Sequence, residues 1–523
     1  MRSFLVGAVV FLLALARSIA DGVGHGDESW FLQVVSRIRA GETLYREIFL
    51  GVTPLAAYAT ALVTLVTGID VLAVKIVTNG CFAVTSVLAY RLARMAGFSA
   101  LASLTVVAAM FVWGRPYNNP PYTAMAVMFL LAALVVSFRA FSRYSAATEA
   151  RTWIAAGIFA GLSFGAKQNV GLLALAAVCG AIAFHRDARR DTRRAARPNQ
   201  PPPRLRRSAE APGAKAEGRA YGLSVAAFAL TGSATLSPVV ASGAMTAFWE
   251  YGFGAKGAYL DLGAISYVDS LQVVTSALAA LPSASGVATL LHGSVVILPI
   301  LVAIAVVLSV KRLDRTDWLL VLFAGAATFV AFPRWDRFHM GYAVPVHLIA
   351  LGRILTHWLP VPALPRAQLS AAGAIGSIAV LVAVQPAITL ARGARMSVIP
   401  HFRGALMGAE EQTTLMAGAD RLREAAAGQP VFVLSPHAGF WYLSSGVTNP
   451  TPMDTPHRTA VGRQGLPWLL DQLATGAIER VCVDNGPADA QTLTEVASYV
   501  RSRFEQGSNV GPCTIFAAPR PKM

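Results

Sequence analysis

The strongest constraint on this chain is the recurrence of apolar runs, many of them near the ~20 residues that a helix needs to cross a hydrocarbon layer. They fall at residues 4–20, 71–90, 101–113, 122–138, 153–166, 170–184, 221–241, 291–310, 318–331, 343–358 and 369–390. Of 523 residues, 55% are hydrophobic and 14% charged, against roughly 25% charged in an average soluble domain. A conventional soluble enzyme is excluded. The expected class is a polytopic α-helical membrane protein with about eleven transmembrane helices.

The net charge of +16 would point to nucleic acid in a soluble protein, but its distribution argues otherwise. Residues 185–220 hold ten Arg and one Lys against two Asp and two Glu, a local surplus of +7. Arg91, Arg94, Arg139, Arg143, Arg151, Lys311 and Arg312 fall in short connections that parity places on the same side. The charge is therefore an orientation signal with the basic loops in the cytoplasm, and no nucleic-acid partner is expected. Pro198-Asn-Gln-Pro-Pro-Pro203 marks the basic loop as a disordered connector.

The first run, behind Arg2, is short enough to pass for a signal peptide. An uncleaved first span is preferred, because Asp27, Glu28, Glu42 and Glu47 follow it in an acidic external loop, residues 21–67. Residues 54–67 are apolar but too short to span comfortably. A crossing there would carry Arg91 and Arg94 outside, so the segment is expected to lie on the outer surface as a juxtamembrane helix. A second long external segment covers 242–290.

After residue 391 the composition becomes that of a soluble domain. Val431-Phe-Val-Leu434, Arg480-Val-Cys-Val483 and Thr514-Ile-Phe-Ala517 read as short buried strands between helical stretches, so a small α/β domain over 392–523 is expected on the external face. Cys482 and Cys513 lie in or beside those strands, and whether they pair is open at this stage; Cys81 and Cys179 fall in apolar runs as packing residues.

The chemistry candidates stand at the outer ends of the apolar runs. Asp27-Glu28 follows the first, where partial burial gives a carboxylate the raised pKa of a general base; a solvated helix cap with Asp27 as N-cap is the plain alternative. Lys167 is a lone cation between two runs, either paired with an anion or snorkelling. Arg334 and Arg337 suit bidentate phosphate binding or interfacial anchoring. Asp336 and His339 would share a helical face, as a hydrogen-bonded pair or, with Glu28 or His25, as ligands for Mg²⁺, Mn²⁺ or Zn²⁺. His347, deeper in its run, reads as a satisfied core histidine. The segment from Phe248 to Asp261 mixes aromatics with glycines, as a flexible lid or an amphipathic surface helix.

Several motifs in order resemble the GT-C superfamily of membrane glycosyltransferases, in the branch of protein O-mannosyltransferases and bacterial aminoarabinose transferases. They are Asp27-Glu28-Ser29-Trp30-Phe31, Arg37-Ile-Arg-Ala-Gly-Glu-Thr-Leu-Tyr-Arg-Glu47 and Thr53-Pro54-Leu55, then Arg91-Leu-Ala-Arg94, Gly165-Ala-Lys-Gln-Asn-Val-Gly171 and Pro333-Arg-Trp-Asp-Arg-Phe-His339. Pro430-Val-Phe-Val-Leu-Ser435 and Gly446-Val-Thr-Asn-Pro-Thr451 are similar to extracytoplasmic domains of bacterial members.

The resemblance implies a multi-pass plasma (inner) membrane enzyme that moves a sugar from a polyprenyl-phosphate donor, with inversion, on the extracytoplasmic side. It implies Asp27 as general base, Glu28 as its positioning partner or a metal ligand, and Lys167, Arg334 and Arg337 around the donor phosphate. Membrane lipids and an acceptor that is a protein, lipid A, a glycolipid or a polysaccharide are the implied partners. Two departures stand out. Phe49-Leu50-Gly51-Val52 lacks the Asp and Lys that members often carry before the Pro-Pro-Leu segment, leaving Glu47 as the turn's acid. Residues 114–121 offer Arg115, Tyr117, Asn118 and Asn119 for the substrate where relatives use an acid, which speaks against an amino-sugar donor. A transporter or lipid flippase, or an inactive scaffold with a wall-binding domain, are the alternatives from other classes; no internal repeat supports a transporter.

Overall fold

The computed structural model describes residues 2–114, 118–142, 146–195, 212–254, 260–261, 263–281, 283–358, 364–486 and 493–519. Arg115, Tyr117, residues 196–211 of the basic loop and 255–259 of the Phe248–Asp261 segment lie outside the described residues.

Helix α1 (Arg2–Ala20) runs into a turn with glycine at 22, 24 and 26, which opens α2 (Asp27–Arg39). Helix α3 (Leu55–Thr67) is only 13 residues long and leaves Leu62, Leu65 and Val66 exposed. Helix α4 (Val71–Met95) starts on an Asp70 cap that accepts the Leu72 amide at 2.9 Å. Helices α5 (Ala100–Trp113), α6 (Pro121–Ser142), α7 (Ala146–Ala166), α8 (Gln168–Ala195) and α9 (Pro212–Ala241) follow.

Glycines on one face of α7 let α9 approach closely: a Cβ on Gly157 would sit 2.3 Å from the Ser224 carbonyl, and one on Gly161 2.8 Å from that of Phe228. This is how helices pack where no hydrophobic effect drives them together.

The segment 242–290, expected as a loop, is largely helical: α10 (Met245–Trp249) runs on as a π turn (Glu250–Gly254), then come α11 (Tyr267–Ala279) and α12 (Ala284–Gly293). The sequence carried the caps for this, since Ser266 and Asp269 form a capping box and Ser283 accepts the Gly286 amide. Helices α13 (Leu298–Ser309), α14 (Arg315–Thr328), α15 (Arg337–Gly341), α16 (Val344–Leu355) and α17 (Leu364–Ala391) complete the helical part.

Each of the eleven expected segments holds a helix, and among the described residues six stretches are long and apolar enough to cross a membrane. These are Ser3–Ala20, Val71–Met95, Pro121–Phe141, Gln168–His185, Arg219–Ala241 and Ser285–Ser309. Their outward faces are apolar: Phe4 is 82% exposed, Leu230 73% and Val307 72%. Lipid is the solvent that tolerates such faces.

Beyond α17 the chain forms an antiparallel pair, β1 (Arg395–Met396) with β2 (Leu406–Met407), and then α18 (Ala409–Ala426). A four-stranded sheet is built from β3 (Phe432–Leu434), β4 (Arg480–Asp484), β5 (Glu505–Asn509) and β6 (Cys513–Ala517), in the order β3-β4-β6-β5. Only β3 and β4 are parallel; β6 runs antiparallel to both β4 and β5. Helices α19 (Ala438–Ser445), α20 (Arg458–Ala474) and α21 (Thr494–Arg503) connect the strands. Phe432, Leu469, Val481, Val496 and Phe516 form their own core, and Cys482 and Cys513 pair across β4 and β6 with Cα atoms 5.5 Å apart.

This C-terminal unit sits on α2. Gly439 of α19 is in contact with the α2 backbone, where a Cβ would lie 2.6 Å from Trp30 Cα, and Phe402, Phe440, Trp441 and Tyr442 join the main helical core.

Candidate functional site

The site is assembled around the head of α2. Gly26, not Asp27, is the cap, and Asp27 is the first helical residue, exposed and without a hydrogen-bond or ion-pair partner among the described residues. A carboxylate in the first turn is favoured by the helix dipole. Glu28 points the other way and is fully buried: Oε2 accepts the Gly24 amide at 2.9 Å, and Lys75 Nζ lies 3.0 Å from Oε1. Burial raises the Glu28 pKa, and Lys75 opposes that rise. The two adjacent carboxylates therefore differ in kind, one open to a substrate and one locked into the frame.

The second group of charges lies in Pro333-Arg-Trp-Asp-Arg-Phe-His339, the link between α14 and α16. Its backbone is held by Ile265, whose amide donates to the Pro333 carbonyl at 3.2 Å and whose carbonyl accepts from the Trp335 amide at 3.1 Å. Asp336 caps α15, accepting the Phe338 and His339 amides at 2.9 and 3.0 Å, and its carboxylate also holds His339 Nδ1 at 2.9 Å. Burial opposes its charge, yet these bonds and Arg334, 3.5 Å away, hold its pKa below the ordinary value. Arg337 is exposed, its guanidinium 5.0 Å from the Phe338 ring centre.

Tyr342 stands at the end of α15. Burial raises the pKa of its phenol, and Asp27 and Asp336 both push it further the same way, so the hydroxyl stands within the field of both carboxylates. Gly341 beside it allows close packing on the end of α5, since a Cβ there would sit 2.5 Å from the Trp113 carbonyl.

Lys167 occupies the tight break between α7 and α8, donating to Thr123 Oγ1 at 3.2 Å, with its ammonium 5.9 Å from the Tyr122 ring centre. That ring stands 6.2 Å from Phe31 of α2, which brings the cation towards the same site. Gly171 makes the turn possible: a Cβ there would lie 2.2 Å from Phe164 Cα. Gln168, next to Lys167, donates to the carbonyls of Gly51 at 3.2 Å and Gly252 at 2.9 Å, tying the turn to the 21–67 segment and to the π turn after α10. Phe248 of α10 is buried against Tyr45 at 5.1 Å, while Trp249 stays exposed.

Asn118 belongs to the frame: its Oδ1 accepts from Lys75 at 2.9 Å and its Nδ2 donates to the Asp21 carbonyl at 3.2 Å. His347 is satisfied by Thr328 Oγ1 at 2.8 Å and the Ala343 carbonyl at 2.9 Å. The described residues do not assemble a metal site. No three His, Cys, Asp or Glu are arranged for one, Glu28 is committed to Lys75, and His339 to Asp336.

Lys75, Tyr342 and Arg37 are the residues that sequence reasoning missed. Lys75 had a usable signal, a lone cation inside an apolar run, which is the argument applied to Lys167.

Two solved structures of ArnT from Cupriavidus metallidurans match this fold. The one bound to undecaprenyl phosphate has a TM-score of 0.55 at 13% identity, covering 98% of this chain and 97% of that chain. The apo structure has a TM-score of 0.57 at 12% identity with the same coverage. The chain has the ArnT fold. Residues 51–196, which run from just before α3 through α8 and include Lys75 and Lys167, also match the family model of dolichyl-phosphate-mannose-protein mannosyltransferases. No curated protein matches the chain by sequence. The family-model match and the ArnT fold agree with the GT-C resemblance of the motif order, and the fold match covers 98% of this chain.

Proposed function

We propose that the protein is an inverting glycosyltransferase that takes a sugar from a polyprenyl phosphate and transfers it to a hydroxyl-bearing acceptor on the extracytoplasmic face of the membrane. The observation that carries this reading is Asp27 on the head of α2, exposed and without a partner among the described residues, beside a fully buried Glu28 and close enough to Tyr342 to act on its phenol, as Asp336 also does.

In the reaction, the acceptor oxygen attacks C1 of the sugar, its proton passes to Asp27, and the C1–oxygen bond to phosphate breaks with its electron pair leaving on the polyprenyl phosphate. Phosphate is a stable leaving group, so cations that neutralise its growing charge take the place of a general acid. Lys167, Arg334 and Arg337 are the residues assigned to that role. His339, held by Asp336, orients the phosphate or the acceptor. The ArnT structure bound to undecaprenyl phosphate supports a polyprenyl-phosphate partner of this chemical kind.

The test is transfer of radiolabelled sugar from a panel of undecaprenyl-phosphate sugars, neutral hexoses and an amino sugar, to cell-envelope acceptors by the protein in proteoliposomes. Label is expected in a product resistant to the mild acid that cleaves the donor, with a neutral sugar preferred. Label that only changes leaflet on intact donor would instead make the protein a flippase.

A further inference from the structure

We propose that Lys75 is the positioning residue for Asp27, a buried post that fixes the turn carrying the base; the inference rests on the reading of Asp27 above. The turn from α1 to α2 is Asp21-Gly-Val-Gly-His-Gly-Asp27, and glycine at every second position leaves the backbone free to adopt many conformations. Left alone, such a segment would not hold a carboxylate at one place.

Lys75 removes that freedom. It lies on α4 with no exposed surface, and its three N–H groups are shared among four acceptors: the carbonyls of Ser18 at 3.0 Å and Gly22 at 2.9 Å, Asn118 Oδ1 at 2.9 Å and Glu28 Oε2 at 3.2 Å. One side chain thereby joins the end of α1, the glycine turn, the start of α2 and the loop before α6. One helical turn further along α4, Thr78 donates to the Asn119 carbonyl at 3.1 Å and pins the same loop. The glycines are shaped to this cluster: a Cβ on Gly24 would lie 2.9 Å from the Asn118 carbonyl oxygen and 3.0 Å from Glu28 Cβ.

Burying an ammonium and a carboxylate costs more than it returns unless both are paired and hydrogen-bonded. Here both are, and the outcome is geometric definition. Because the ammonium is enclosed, Lys75 does not replace the lysine that relatives carry before the Pro-Pro-Leu segment. It serves Asp27 through Glu28 and the turn, and touches no substrate.

The experiment uses the full chain in lipid nanodiscs, with Lys75→Met, Glu28→Ala and Glu28→Gln compared by amide hydrogen exchange, undecaprenyl phosphate binding and sugar transfer. Lys75→Met is expected to speed exchange in the 21–28 turn and in the 118–120 loop together, leaving the C-terminal sheet unchanged. Its kcat should fall about 100-fold, the cost of an ~1 Å misplacement, with donor KM and undecaprenyl phosphate binding retained. Glu28→Ala should behave likewise, and Glu28→Gln, which keeps an acceptor for Gly24 and Lys75, should recover most of the rate. If Lys75→Met does not accumulate, Asn118→Ala removes one acceptor and should loosen the same two segments.

Unchanged exchange at both segments overturns the proposal. So does loss of undecaprenyl phosphate binding in Lys75→Met, which would make Lys75 a phosphate ligand, or a Glu28→Gln as inactive as Asp27→Asn, which would make Glu28 a catalytic residue. Coupled loosening together with a fully active Asp27→Asn would leave the post standing and remove the reading of Asp27 on which its purpose rests.

Discussion

Arg37 and Asp454 stand 417 positions apart in the chain and meet as a buried ion pair, with Nη1 3.0 Å from Oδ1. The same guanidinium reaches Glu42 at 2.6 Å and the carbonyls of Glu47 at 2.7 Å and Thr451 at 3.0 Å. Asn449 supplies Asp454 with a further bond at 2.9 Å. The Gly446–Thr451 motif and the Arg37–Glu47 motif are thus two halves of one clamp that seats the C-terminal unit on the first external loop. Arg37→Ala leaves Asp454 buried without its counter-charge and is expected to cost about 3–5 kcal/mol. Thermal unfolding and limited proteolysis after residue 391 should show early release of the C-terminal unit; an unchanged melting curve would mean that the clamp does not carry the docking.

The break at Lys167 depends on a residue with no side chain. In Gly171→Ala the added methyl would meet Phe164 backbone at 2.2 Å, so the turn must open and Lys167 must shift. Sugar transfer is expected to fall about 100-fold, as misplacement of a charge-stabilising group implies. Weaker undecaprenyl phosphate binding should accompany it. Wild-type transfer and binding in this variant would remove Lys167 from the phosphate site.

His25 is packed 4.8 Å from Phe440 and 6.1 Å from His437, ring centre to ring centre, at the seam between the first external loop and the C-terminal unit. Burial lowers its pKa below 6.5, His437 lowers it further, and Glu411 opposes them. Since the folded state disfavours the proton, the unfolded chain binds more protons below pH 6.5, and stability falls as the pH drops through that window. The melting temperature should therefore decline on acidification below 6.5, and His25→Gln should flatten that decline. An identical slope in the variant would contradict the assignment.

Much of this molecule was legible from its sequence. The apolar runs located the helices, Lys167 its turn, and Asp336 with His339 their pairing, because each follows from local period or spacing. Strands β3, β4 and β6 carried apolar signals, but β5, Glu-Gln-Gly-Ser-Asn at 505–509, is wholly exposed and carries none. The Arg37–Asp454 clamp and the meeting of Lys75 with Asn118 are long-range, and no local pattern in one sequence encodes which distant partner a buried charge finds. Asn118 was therefore read as a substrate group although the frame uses it. Asp27 as N-cap failed for a smaller reason: the glycine turn lets Gly26 take that position.

Cys482 and Cys513 close a loop of 31 positions between β4 and β6. Alkylation of the unfolded, unreduced protein should label Cys81 and Cys179 only. Replacing the pair by serine is expected to cost about 2–4 kcal/mol in the C-terminal unit. Four labelled thiols without reductant would refute the pairing.

The central claim is that Asp27 accepts the acceptor's proton, and Asp27→Asn in proteoliposomes tests it most directly. The amide keeps the shape of the side chain at an exposed position with no partner among the described residues, so folding and undecaprenyl phosphate binding should persist. Transfer from an undecaprenyl-phosphate sugar is predicted to drop by about 10²–10⁴-fold, the worth of a positioned general base. Transfer at the wild-type rate would contradict the account.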